Sequence, residues 1–445
     1  MIKSLARART FSFDRVRAHL RTPLYRNGYA LLVNSVATSG LGLIYWILAA
    51  HLYSAEVVGL NSAVLSAMQF LYGIAVLSLS NLLIRYIPLA GERTLQLISY
   101  VYGVSVAITL VVGLGFVLGV RWWFPAFGFL VTSPASESLF VLALIMVCVF
   151  SLQDSVLIGL RQAIWVPVEN TLFGAAKIGL VVFLAVVSPR YGILASWIVP
   201  AVLSLAPVNL LIFRRLVPRH VTATRAHSER LSLAQMARYG GGNYAGQLFI
   251  LAGTTFLPLL VTSQLGPRAT AYFAQPWLLT TSLQLVALNL TTSLTVEATL
   301  DPSRLRTDCR RVMAQIGSLL VPMIGVVWIG APYILRVFGH SYEAEGAALL
   351  RWLALAALPH ALIALALSLA RAQNRVAIIV LAQGAQCVLT LGMSYALMPL
   401  YGITGVGIAY LIGVSIVGAG LFFAQLRPIL FAGEESAGRM PQSLG

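Results

Sequence analysis

Apolar residues run along this chain in blocks of about 20, the length an α-helix needs to cross the hydrocarbon core of a bilayer. Polar residues gather in the short gaps between blocks. The pattern predicts twelve spans, near 28–51, 58–84, 95–118, 139–160, 168–188, 192–213, 240–263, 270–294, 311–333, 347–370, 376–398 and 402–424. The basic residues test that count. Of 30 Lys+Arg, 24 fall before span 1 or after an even-numbered span. Five fall on the alternate side (Arg121, Arg190, Arg268, Arg336 and Arg351), and Lys177 is the remainder. This bias obeys the positive-inside rule and predicts both termini on the cytoplasmic side. A missed or extra span would scramble it.

Span starts in the second half trail those in the first by 212, 212, 216, 208, 208 and 210 residues. So constant an offset predicts two six-helix repeats, although the sequences share little. An even helix number gives both repeats the same orientation, with their pseudo-twofold axis along the membrane normal. The expected fold is an all-α polytopic membrane protein of two six-helix bundles around a central cavity. The expected organisation is a basic amphipathic N-terminus (1–27), a bundle (28–213), a basic linker (214–239), a second bundle (240–424) and a tail (425–445). The N-terminus interleaves Leu, Phe and Val with arginines, which suits an interfacial helix on anionic lipids; a plain positive anchor for span 1 fits equally well.

Composition closes other routes. The 445 residues are 59% hydrophobic and 10% charged, whereas a soluble surface needs about a quarter charged. The net charge of +16 would suggest nucleic acid in a soluble protein; here the arginines sit between apolar blocks, and topology explains them. Three cysteines and six histidines, scattered, form neither a disulfide framework nor a metal cluster. No cofactor is expected. The longest outside loop runs from Arg121 to Ser138, too short for a catalytic domain, so the chain is not expected to be an enzyme. Two bundles joined by short loops serve mainly to alternate access around a midplane site.

Charges inside spans are costly and mark packing pairs or wet cavities. Arg85 and Arg161 fall near the cytoplasmic ends of spans 2 and 4; for Arg85, snorkelling is one reading and a place at a cavity mouth the other. Arg351, near the outer start of span 10, has Glu343 and Glu345 as candidate partners. Asp154 and Lys177 lie deeper, on antiparallel spans 4 and 5. Two readings stay open for them: a buried ion pair that fixes helix packing, or a cationic point in a cavity that the acid holds until an anionic substrate arrives. Lys177 is one of two lysines in the chain. Glu169 is expected at the cytoplasmic edge. Amides recur along the spans, among them Asn34, Asn243 and Gln247, and favour hydroxyl-rich ligands. His360 follows Pro359 inside span 10, where it can be a hydrogen-bonded kink residue or take part in proton coupling.

"PLYRNGYALLVNS" (23–35), "GLIYWILAAHLYSAEVVGLNSAV" (42–64), "LSNLLIRYIP" (79–88) and "QDSVLIGLRQAIWVPVENTLFGAAKIGL" (153–180) resemble the polysaccharide-transporter branch, the Wzx-like oligosaccharide flippases, of the multidrug/oligosaccharidyl-lipid/polysaccharide (MOP) exporter superfamily. The second half is similar mainly in layout, and His51, Ser78 and Ser80 depart from the pattern. The resemblance implies two bundles forming a V that opens alternately to each side. It implies export of a polyprenyl-diphosphate-linked glycan across the bacterial inner membrane, with glycosyltransferases and a glycan polymerase as working partners and no nucleic acid. It points to Arg85, Arg161 and Lys177 as diphosphate contacts. Two alternatives stand beside it: a cation-coupled exporter of small molecules, which wants a carboxylate-centred site, and a non-transporting scaffold for glycan assembly.

Overall fold

The computed structural model describes residues 23–123, 125–224, 241, 244–300, 305–373 and 375–431. The stretch before Pro23, most of the linker, Asn243 and the tail after Phe431 lie outside them. The described residues form helices and turns without a strand.

The first lobe holds α1 (Pro23–Leu52), α2 (Ala55–Ala90), α3 (Thr94–Trp123), α4 (Pro134–Gly159), α5 (Trp165–Val187) and α6 (Gly192–Leu211). The second holds α7 (Tyr244–Leu265), α8 (Pro267–Leu300), α9 (Leu305–Arg336), α10 (His340–Ala372) and a long element, Val376–Leu421. That element is two crossings, because Gly402 breaks it at φ 57°, a left-handed conformation that costs glycine little. Its arms, 376–401 and 403–421, are α11 and α12. Nine continuous stretches among the described residues are apolar and long enough to span. Two of these, Ala55–Trp122 and Val376–Leu426, hold two crossings each. The twelfth crossing, α8, is more polar, carrying Gln275, Gln284 and several threonines.

Local chemistry sets the helix ends. Ser54 caps α2 by accepting from the Val57 N–H, and Ser133 and Ser136 form a reciprocal capping box on α4 with Pro134 in its first turn. The repeat also appears at a finer scale than hydropathy gives. Both α6 and α12 run into a π-helical turn, Ile212–Leu216 and Phe422–Leu426. The two turns are 210 residues apart.

Large apolar side chains such as Leu118, Leu172, Val186, Ile329 and Leu381 face outward. They meet lipid, so burial of apolar area cannot drive the lobes together; close packing must. In the first lobe α1 lies along α5, with Gly174 seated on Leu41, and Gly159 of α4 meets the Leu83 carbonyl and Ile87 of α2. In the second, α10 is the buried axis, its alanines and leucines enclosed on most sides. Gly407 and Gly418 of α12 sit on Leu349 and on the Pro359 carbonyl of α10.

The lobes meet chiefly along one stripe of α2, with Leu259 of α7 also joining the cluster around Phe127 and Phe140. Gly59 lies directly on the Pro267 and Ala271 backbone at the start of α8, and Gly73 lies on Leu251 of α7. Phe70 and Phe256 form an edge-to-face pair at 4.6 Å. The Tyr244 hydroxyl donates to the Ile74 carbonyl at 2.9 Å. Beyond Ile74 the same stripe continues as Asn81, Ile84 and Arg85, all exposed. The lobes therefore touch at the end carrying the α1–α2 turn and part toward the end where α1 begins.

Candidate functional site

Two cavities open between and within the lobes. One, of about 520 Å³, is walled by α1, α2, α4, α5 and α6 of the first lobe and by α7 and α8 of the second. Trp46, Phe173, Trp197 and Trp277 give it aromatic faces; Ser62, Ser66, Gln69 and Gln275 give it polar edges. The other, of about 480 Å³, lies in the second lobe, lined by Gln247, Gln284, His360, Arg371, Gln383 and Gln386 among others. Thr254, Trp277 and Thr281 line both, so the two share a wall.

Several polar atoms on these walls have no protein partner: both amide atoms of Gln275, His360 Nδ1, Gln383 Oε1 and Thr390 Oγ1. An unmade hydrogen bond on a buried group costs about 1–3 kcal/mol, so the walls favour a hydrogen-bonding occupant. Gln284 donates to the Tyr410 hydroxyl at 2.8 Å. The described lining carries a single arginine, Arg371, and no carboxylate. Arg371 spends Nε on its own helix, donating to Leu367 at 3.2 Å, and its terminal nitrogens meet no acceptor among the described residues. It sits in the last turn of α10, at the end where the lobes part.

The sequence-predicted residues scatter around these spaces. Arg85 lies on the exposed lobe-facing stripe of α2, beyond Ile74, and lines neither cavity. Arg161 is exposed in the α4–α5 turn, at φ 58°. Its N–H donates to Ile158 and that of Gln162 to Leu157, both at 2.9 Å, which is a Schellman closure with arginine where glycine is usual. Gln247 and His360 line the second cavity; Asn34 lies on α1 with its Oδ1 buried and unpartnered. His360 Nδ1 is buried and makes no kink hydrogen bond. Arg351 does not pair with Glu343 or Glu345. It donates to the Trp328 carbonyl at 3.2 Å and stacks over that ring, while Glu343 takes Arg336 at 3.9 Å.

The expected Asp154–Lys177 pair is not formed. Asp154 accepts from Asn170 at 3.0 Å. In an antiparallel hairpin that register sets Val147, not Asp154, level with Lys177, which lies about 10 Å farther along α5 than Asn170. Lys177 is 6% exposed and held by rings alone. Its Nζ is 3.9 Å from the Trp197 centroid, 4.5 Å from Tyr45 and 5.4 Å from Phe173. Tyr45 is fixed by hydrogen bonds from its hydroxyl to the Ile193 carbonyl (3.2 Å) and with Ser196 (2.8 Å). Two of the three rings, Phe173 and Trp197, also line the first cavity, so Lys177 lies just behind its wall. Glu169, expected at the cytoplasmic edge, is buried beside Asp154.

Sequence reading missed Arg371, counted only as a loop cation, and the ring wall. The signals were present: Arg371 falls one helical turn after Leu367 within the apolar run, and Trp197 precedes Pro200 inside a span instead of flanking it.

No protein-family model and no curated protein matches the sequence. Solved structures do match the fold. A multidrug resistance MATE family transporter of the MOP superfamily, in its inward-facing conformation, aligns at a TM-score of 0.69 and 16% identity, covering 90% of this chain and 98% of that one. An outward-facing conformation of such a transporter aligns at 0.60 and 16%, covering 94% and 96%. A MOP superfamily transporter from Pyrococcus furiosus, whose binding pocket is described as of reverse polarity, aligns at 0.60 and 15%, covering 94% and 96%. Over almost its whole length, this chain has the twelve-helix, two-lobe fold of MATE transporters of the MOP superfamily.

Proposed function

We propose that this protein is an alternating-access exporter of the Wzx-like kind. In this reading it carries a polyprenyl-diphosphate-linked glycan from the cytoplasmic to the outer leaflet of a bacterial inner membrane. One observation carries the reading: the cavity walls combine amides, hydroxyls and aromatic faces with arginine at the open end, and no carboxylate among the described lining residues. Aromatic faces stack sugar rings, and amides and hydroxyls share hydrogen bonds with sugar hydroxyls. Arg371 and Arg85, on opposite lobes at the mouth, meet the diphosphate first, and Arg161 adds to the positive rim. The charge-assisted contacts fix the headgroup while the lipid tail stays in the bilayer. With the termini in the cytoplasm, the lobes are closed outside and open inside, ready to load. Rocking the lobes about the α2 stripe exposes the same walls to the other side. Lys177 comes within reach of the anion when Trp197 and Phe173 turn aside.

The small-molecule exporter reading wants an acid in the cavity, and the buried acids Asp154 and Glu169 lie off its walls. The deciding experiment is reconstitution in liposomes with a labelled polyprenyl-diphosphate sugar, scored by an impermeant reagent at the far leaflet. Transfer that Arg371→Gln reduces tenfold or more supports the reading. No transfer by the folded protein, together with efflux of cationic dyes, would overturn it. Complex formation with glycosyltransferases or a polymerase is a separate question, answered by affinity capture from native membranes.

A further inference from the structure

We propose that Asp154 and Glu169 form a buried proton site at the cytoplasmic end of the first lobe, separate from the cavity. Glu169 is 6% exposed, and neither of its carboxyl oxygens has a partner. It lies within electrostatic range of Asp154, whose Oδ2 takes only the Asn170 amide. Neither acid forms an ion pair with a described residue. The other polar and charged groups around the pair come from α3, α1, the α4–α5 turn and α5 itself. From α3 comes Tyr102, near Glu169, whose hydroxyl donates to Asn209 of α6 at 3.4 Å. From α1 comes Asn34, on the face that also carries Leu41 and Tyr45. The α4–α5 turn carries Arg161, and Lys177 lies about 12 Å farther along α5.

Two adjacent anions in so dry a place carry a large desolvation cost that something positive must offset. A hard metal ion wants several converging oxygens; here Asn209 Oδ1 already accepts from the Tyr102 hydroxyl, Asn170 turns its NH2 rather than its oxygen toward Asp154, and no group of three or more acidic, His or Cys side chains converges among the described residues. A proton needs one lone pair. It arrives through the half-buried side of Asp154 and Asn170, forms one O–H bond on one of the carboxylates and so removes one of the two like charges. Release breaks that bond and leaves the pair repelling across the α4–α5 hairpin, which moves Lys177 and its ring cage with it. This coupling role rests on the alternating-access reading above; the existence of the site does not.

The test is infrared spectroscopy of the full-length protein in liposomes across a pH series, with the proton as probe and potassium as the salt. The expected result is a protonated-carboxyl stretch at neutral pH, weakened in Glu169→Gln and in Asp154→Asn, lost in the double variant, and unchanged when sodium replaces potassium. A band absent at neutral pH, undiminished by either substitution, or abolished by sodium would overturn the proposal, the last by revealing a metal site. Asp154→Asn can keep a hydrogen bond to Asn170, so it reports even where Glu169→Gln fails to fold. No substrate is needed, so the proton site and glycan transport fail separately.

Discussion

Gly59→Ala tests the geometry on which the proposed alternating access depends. A Cβ on Gly59 would lie 2.7 Å from the Pro267 carbonyl carbon and 2.8 Å from the Ala271 nitrogen, well inside the ordinary contact distance of about 3.5–4.0 Å. Both obstacles are backbone, so no side chain can swing away and the ends of α2 and α8 must separate. Overpacking of this kind costs about 1–3 kcal/mol. The cost falls only on conformations in which α2 and α8 touch there, so it shifts the equilibrium toward the opposite opening by about 5–150-fold. The reporter is Thr281→Cys, on the wall shared by both cavities, in a background with Cys148, Cys309 and Cys387 replaced by serine. Labelling by an impermeant maleimide from the side of the termini should slow at least about fivefold with Gly59→Ala. Gly73→Ala is the control. Its new Cβ meets the Leu251 side chain, at 2.7 Å, which can rotate, so labelling stays near wild type. Unchanged labelling in folded Gly59→Ala protein, or equal slowing in both variants, would refute the reasoning.

Arg161→Gly should be more stable than Arg161→Ala by about 1 kcal/mol, read by chemical unfolding in detergent. Both lose the side chain, and only glycine relieves the positive φ. Lys177→Met should fold at wild-type yield while losing glycan transfer in liposomes, because the cage holds no anion that the change would strand. Lys177→Arg should fold poorly by size-exclusion yield, since a guanidinium brings five donors into a cage of rings. Arg371→Lys should keep part of the transfer rate that Arg371→Gln loses, by charge without the planar fork.

The number of crossings and the two-lobe plan were legible because lipid imposes them: each span needs its length, and each loop its charge sign. The same logic failed for the α4–α5 hairpin. Depth counted from uncertain span ends put Asp154 level with Lys177, but the register of a hairpin follows from its turn. That turn is a Schellman closure on Arg161, and an arginine in a left-handed conformation leaves no sequence signature. A shift of two helical turns followed, and Asp154 met Asn170 and Glu169 instead of the lysine. Arg371 was hidden for a related reason. At the edge of a span, topology alone explains a basic residue, and only the tertiary arrangement shows a cavity below it.

Lysine at position 177 follows from the cage. Within it, Tyr45 has already committed its hydroxyl to α6, leaving the ammonium only π faces. Attraction to desolvated rings is worth about 2 kcal/mol or more, less than a full solvation shell, so the charge is kept but not satisfied. A guanidinium would need acceptors for more donors in the same space, and a methionine would carry no charge to offer. A compact cation behind two rings that also line the first cavity is thus the least costly way to hold positive charge next to that cavity without exposing it when the cavity is empty. If that is its purpose, Trp197→Ala should open the cage to the cavity. Lys177 should then react with an impermeant amine reagent from the side of the termini, where wild-type Lys177 does not. Equal reactivity in the two proteins would mean that the rings do not gate the lysine.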